Sequence, residues 1–113
     1  SELQFISKDM KKGIGIGVTT CSSKEVASSI VNELLSAKLI ACGQIEGPIE
    51  SIYRWEGKLA KEAEWKITLK FDFGKREQLE ENIGKIHPYE TPQWVVWEAG
   101  ASEEYYNWVT EPN

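Results

Sequence analysis

Ala63-Glu64-Trp65-Lys66-Ile67-Thr68-Leu69-Lys70-Phe71-Asp72-Phe73 alternates without interruption. Trp65, Ile67, Leu69, Phe71 and Phe73 fall on one side of an extended chain, and Lys66, Thr68, Lys70 and Asp72 on the other. Period two over that length predicts a half-buried strand. Just upstream, Glu56-Gly57 supplies a turn, with Gly57 free to take positive φ. Before the turn, Cys42 to Trp55 reads as extended, most regularly from Ile49 through Ile52, Tyr53 and Trp55. Gly47-Pro48 interrupts it, and a proline cannot donate to a ladder, so a bulge or an edge position is expected there. Together these pieces predict a long hairpin in the middle of the chain.

Working outward, Gly13 to Thr20 also alternates, with Ile14, Ile16 and Val18 on one face and Gly13, Gly15 and Gly17 on the other. Ser22-Ser23-Lys24-Glu25 then matches a capping box with Ser22 as N-cap. Val26, Ala27, Ile30, Val31, Leu34 and Leu35 follow at helical spacing, to about Ala37–Leu39. On the other side of the hairpin, Leu79, Ile83 and Ile86 mark a second helix that His87-Pro88 stops. Gln93 to Ala99 is a fourth strand, apolar on both faces through Trp94, Val95, Val96 and Trp97. Ser102-Glu103-Glu104 opens a short third helix carrying Tyr105, Tyr106, Trp108 and Val109. The order is β-α-β-β-α-β-α, an α+β pattern. Its simplest packing is the ferredoxin-like split βαβ, a four-stranded antiparallel sheet with both main helices on one face, here with an extra C-terminal helix. An apolar fourth strand at a sheet edge is an aggregation hazard unless covered, and other copies of the chain are the expected cover.

The chain has 113 residues, the size of one domain, read as residues 13–113 after a flexible N-terminal tail, residues 1–12. Net charge is −5, and the basic residues are scattered, which excludes the phosphate-neutralising patch of a nucleic-acid binder. Cys21 and Cys42 are too few for a disulfide framework and read as reduced thiols. No stretch reaches the apolar length of a membrane span, and the first residues lack a signal-peptide core, so a cytoplasmic protein is expected.

Candidate chemistry is sparse. Gly13-Ile14-Gly15-Ile16-Gly17 lies within a strand, whereas a dinucleotide fingerprint sits in the turn after one. Its glycines fit a closely packed sheet face instead. His87, the single histidine, is either a helix-end cap, a satisfied core group or a ligand. Cys21 stands at a strand end beside a helix N-terminus, where a thiolate is favoured, but no nucleophile signature accompanies it. Cys21, Cys42 and His87 have no short ligand spacing, so a closed four-ligand site within one chain is not expected, while one completed by a second subunit stays open. Arg54 and Arg76 have no phosphate loop beside them and read as surface charge.

Tyr53-Arg54-Trp55-Glu56-Gly57-Lys58, Glu62 and Glu64, and then His87-Pro88-Tyr89-Glu90-Thr91-Pro92, Gly100 and Tyr105–Trp108 closely resemble the CutA divalent-cation tolerance family. Thr19-Thr20-Cys21 and Lys38-Leu39-Ile40-Ala41-Cys42 fit as well, so the resemblance spans roughly residues 13–110. It implies the ferredoxin-like fold, a homotrimer similar in architecture to PII signalling proteins, and a role in tolerance of copper and other divalent cations. The family's proposed copper contacts map onto Cys21 and His87; where some members carry a second histidine, this chain has Ile86.

Three readings follow. The first is a homotrimeric, non-catalytic protein that binds copper or another divalent cation through Cys21 and His87. The second is a PII-like small-molecule sensor with clefts between subunits, lined by Trp55, Lys66, His87, Tyr89 and Glu90. The third, an enzyme using Cys21 or His87, lacks an acid–base constellation and ranks last.

Overall fold

Residues 10–111 are described by the computed structural model. The elements are β1 (Met10–Cys21), α1 (Lys24–Ser36), β2 (Cys42–Trp55), β3 (Lys58–Phe71), a 3-10 turn (Phe73–Lys75), α2 (Arg76–Ile86), β4 (Val95–Ser102) and α3 (Glu103–Thr110). The expected order is thus found. The sheet runs β2-β3-β1-β4 with every neighbour antiparallel. This is the split βαβ arrangement, with β2 and β4 at the edges.

Several boundaries move, each for a local reason. β1 begins at Met10 rather than Gly13, because Met10 pairs with Ser102 across an irregularity that ends at Gly13. The rest of the expected N-terminal tail lies outside the described residues. β3 begins at Lys58 rather than Ala63, because the hairpin ladder continues to the pair Trp55–Lys58. It ends at Phe71, because the Asp72 carboxylate accepts from Gly74 N at 3.0 Å and turns the chain. Phe73 therefore leaves the strand.

The N-cap of α1 is Ser23, not Ser22. Ser23 is extended (φ −151, ψ 159), and its hydroxyl accepts from Val26 N at 3.1 Å. That one-residue shift puts Val26, not Glu25, at the third helical position, so the capping box does not form. α1 stops in a Schellman turn, with Leu39 N on Leu34 O at 3.1 Å and Lys38 N on Leu35 O at 3.0 Å. The left-handed position of that turn is filled by Lys38 (φ 59).

One sheet face meets α1 and α2. Ala27, Ile30, Val31 and Leu34 from α1 and Leu79 and Ile83 from α2 close over Cys21, Ile67, Leu69 and Phe71. Gly15 and Gly17 lie beneath this layer: a Cβ on Gly15 would enter the Phe71 ring, and one on Gly17 the Trp94 ring. The glycine alternation is therefore a packing feature, as the sequence suggests.

The opposite face is covered only in part. Val109, Tyr105 and Tyr106 of α3 pack on Ile14, Ile16 and Ala101. Val95 and Trp97, on the same face by register with Val18 and Ile16, stay 51% and 46% exposed. The hairpin turn, Glu56 (φ 49) and Gly57 (φ 77), takes both central residues into the left-handed region that matches strand twist. The bulge at Gly47-Pro48 falls between Glu46 and Ile49 on an edge strand. Beyond it the hairpin stands free of β1, which ends opposite Trp65. The radius of gyration, 15.9 Å, exceeds the roughly 13 Å of a compact domain this size, as a projecting arm requires.

Candidate functional site

His87 closes α2 and points back into the molecule. Its backbone N–H donates to Ile83 O at 2.9 Å, completing the helix. In the ring, Nδ1 accepts from Tyr89 N at 3.1 Å, so Nε2 holds the proton and donates to Thr20 O at 2.9 Å. His87 is only 7% exposed, and both nitrogens are engaged. Of the three roles open to it from sequence, the geometry matches the satisfied, buried cap. The Tyr89 backbone is thereby tied to the end of β1.

Cys21 is fully buried and donates to Ser23 O at 3.4 Å. Burial pushes its thiol up from the ordinary value, with a backbone hydrogen bond at Ser23 opposing it and Glu64 adding to it. That reverses the expectation of a favoured thiolate beside the helix N-terminus, because loss of hydration outweighs the helix end here. As folded, neither residue suits a resident metal: the histidine has no free lone pair and the cysteine stays protonated. Among the described residues, no group of three or more His, Cys, Asp or Glu is arranged to hold a metal ion.

A broad, open concavity lies beside the free part of the hairpin. It spans about 1090 Å³ between the hairpin, the end of β1 and the loop after α2. Tyr53, Trp55, Ala60, Glu62 and Glu64 line it from the hairpin, Thr20 and Ser22 from β1 and its exit, and Tyr89, Thr91, Pro92 and Gln93 from the loop. Besides the Tyr89 side chain, two contacts hold this loop. One is the His87 hub; the other is Trp94, whose indole N–H donates to Glu80 Oε2 at 2.8 Å. That bond and Arg76 hold the Glu80 carboxyl below its ordinary range.

Of the cleft residues expected from sequence, Trp55 and Tyr89 line it. Lys66 turns instead toward Glu46, at 3.8 Å, and Glu90 is exposed outside it. Sequence reasoning did not assign Glu62, Glu64 or Tyr53 to a cleft. The same-face spacing of Glu62 and Glu64 along β3, with Tyr53 across the ladder on β2, was the available signal, but the loop that faces them is far away in sequence.

Tyr89 donates its hydroxyl to Glu64 Oε2 at 3.2 Å. Burial first, and then the Glu64 charge, push this phenol up to about 12. A raised folded-state value means stability that is present below the unfolded value, about 10, and lost as pH rises through the folded one. The margin of wild type over Tyr89→Phe should be about 0.5–1.5 kcal/mol at neutral pH. It should vanish between about pH 10 and pH 12 in parallel denaturant titrations. A margin independent of pH would mean that the hydroxyl does not face Glu64.

Residues 16–112 match the model of the CutA1 divalent ion tolerance protein family. The chain belongs to that family. It is 35% identical over 94 residues to the divalent-cation tolerance protein CutA of Thermotoga maritima, covering 82% of this chain and 92% of that one. The CutA of Thermus thermophilus is 33% identical over 93 residues, covering 81% and 90%. Among solved structures, CutA1 from Ehrlichia chaffeensis superposes with a TM-score of 0.83 at 35% identity, covering 87% of this chain and 92% of that one. The CutA1 match spans the hairpin and the His-Pro-Tyr segment that build the cleft.

Proposed function

We propose that this chain acts in divalent-cation tolerance as a cytoplasmic homotrimer without catalysis, engaging copper or another divalent cation as cargo. The observation that carries the reading is the CutA1 match over residues 16–112. The open face around Val95 and Trp97 supports self-association, since an apolar edge strand calls for cover. No helix among the described residues is long and apolar enough to cross a membrane. Support for a non-catalytic role comes from His87 and Cys21, the groups best suited to acid–base or nucleophilic work, both committed to backbone partners.

Metal engagement at Cys21 and His87 then requires those bonds to open, at about 1–3 kcal/mol for each buried group left unpaired. The expected result is weak, reversible copper binding rather than a resident ion. Titrating copper(I) and copper(II) into wild type, Cys21→Ser and His87→Ala tests it: affinity should fall in both variants. Affinity retained in both removes the pair from the proposal.

A further inference from the structure

Thr19 is fully buried two residues before Cys21, on the sheet face that α1 and α2 cover. The register fixes this: Thr19 stands opposite Ile67 and Cys21 opposite Trp65, in line with Gly15 opposite Phe71. Among the described residues, Thr19 Oγ1 is the one buried side-chain polar atom without a hydrogen-bond partner. A hydroxyl in that state costs stability, and valine would fill the same space without the cost. Such a group in a folded protein calls for a partner that arrives from elsewhere or forms in another state. Its polar neighbours are engaged: Thr20 O accepts from His87, and the Cys21 thiol donates to Ser23 O.

From this we infer that Thr19 is a positioning residue for metal engagement at Cys21, its hydroxyl donating to the sulfur once a thiophilic cation such as copper(I) has displaced the thiol proton. The inference rests on the metal reading above and adds a residue to it. As folded, Cys21 is itself a donor, so its sulfur has no need of one. Engagement inverts that. The thiol proton leaves to solvent, the S–H···O bond to Ser23 breaks, and a sulfur–metal bond forms with no change in oxidation state. The sulfur then carries negative charge inside the core, where a charged acceptor needs a donor.

Thr19 is placed to supply it. Strand alternation puts its side chain on the same face as that of Cys21, with the two Cα atoms roughly 6.5 Å apart. Side chains turned toward one another across that spacing can meet. Between them, Thr20 carries the carbonyl that holds His87. The last three residues of β1 therefore gather a spare hydroxyl, the histidine's partner and the thiol. Hydrogen bonds to a metal ligand of this kind change metal affinity by about 10–100-fold. One hydroxyl thus destabilises the metal-free chain and favours the loaded one.

Thr19→Val and Thr19→Ser in the intact protein test the inference. Competition with a copper(I) chelator gives affinity, and urea unfolding of the metal-free chain at fixed protein concentration gives stability. Thr19→Val should raise the urea midpoint and weaken copper(I) about tenfold or more. Thr19→Ser keeps the hydroxyl and should bind copper(I) as wild type does, although its lost methyl group lowers the midpoint. Three outcomes overturn the assignment. Unchanged affinity in Thr19→Val would mean that another donor, such as an N–H of the first turn of α1, serves the sulfur. Equal loss of affinity in both variants would mean a packing role. A lowered midpoint in Thr19→Val would mean that the hydroxyl is already bonded, to a buried water. Cys21→Ser is measured alongside. If wild type does not bind copper(I), or Cys21→Ser binds it equally well, the metal reading fails and this inference with it. Weakened Cys21→Ser beside unchanged Thr19→Val removes the Thr19 assignment alone.

Discussion

Truncating Phe71 to alanine should lower the unfolding free energy by about 3–5 kcal/mol. Phe71 is fully buried in the middle of the sheet, and its register partner is Gly15. Its ring occupies the space that a Gly15 side chain would fill. Removing the ring therefore opens a void floored by bare backbone, with no side chain beneath able to relax into it. That places the loss in the upper part of the range for aromatic truncation, against a total of about 5–15 kcal/mol for a domain. Urea unfolding at fixed protein concentration checks it, since an oligomer's stability depends on concentration. The converse change, Gly15→Ala, overpacks the same spot and should cost about 1–3 kcal/mol. Combined with Phe71→Leu it should cost less than the sum of the two, because the pair shares one volume. A loss below about 1 kcal/mol for Phe71→Ala would show that the ring does not plug the sheet.

The same region shows what could be read in advance. The alternation from Trp65 to Phe71 identified β3 and its buried side correctly, because burial in an antiparallel sheet imposes period two and little else competes with it. The glycines of β1 were legible as packing for the same reason. Ends were less legible. Ser22 and Ser23 are equally good caps by composition, and only the path of the chain leaving the buried Cys21 selects Ser23. The site was legible in pieces. Tyr89 and Trp55 were expected to line a cleft, but their grouping with Glu62 and Glu64 depends on β1 ending at Cys21 while the hairpin continues. Lys66 sits on the same strand face as Glu64, one step too far along, and reaches Glu46. His87 carried the strongest chemical expectation, and its bonds to Thr20 and Tyr89 span contacts that no local pattern encodes.

Trp97→Glu should abolish the proposed homotrimer and with it most of the protein's stability. Trp97 is paired across the ladder with Ile16, and Val95 with Val18; both β4 side chains remain about half exposed on a single chain. If that face meets water in solution, a surface substitution there changes stability by no more than about 0.5 kcal/mol. If it is packed between copies, the substitution both removes a large aromatic contact and buries an unpaired charge, each worth several kcal/mol. The two cases differ by roughly an order of magnitude, so the outcome discriminates sharply. α3 covers Ile14 and Ala101 at one end of the face but leaves Val95 and Trp97 uncovered, so intramolecular packing does not blunt the test. Trp97→Phe separates the two contributions: it keeps the apolar contact, and the assembly should persist with only modest loss. Light scattering with denaturant unfolding gives both readouts. A Trp97→Glu protein that stays trimeric and as stable as wild type would mean that the open face is not where the copies meet, and the cover for β4 would have to be sought on its free hydrogen-bonding edge instead.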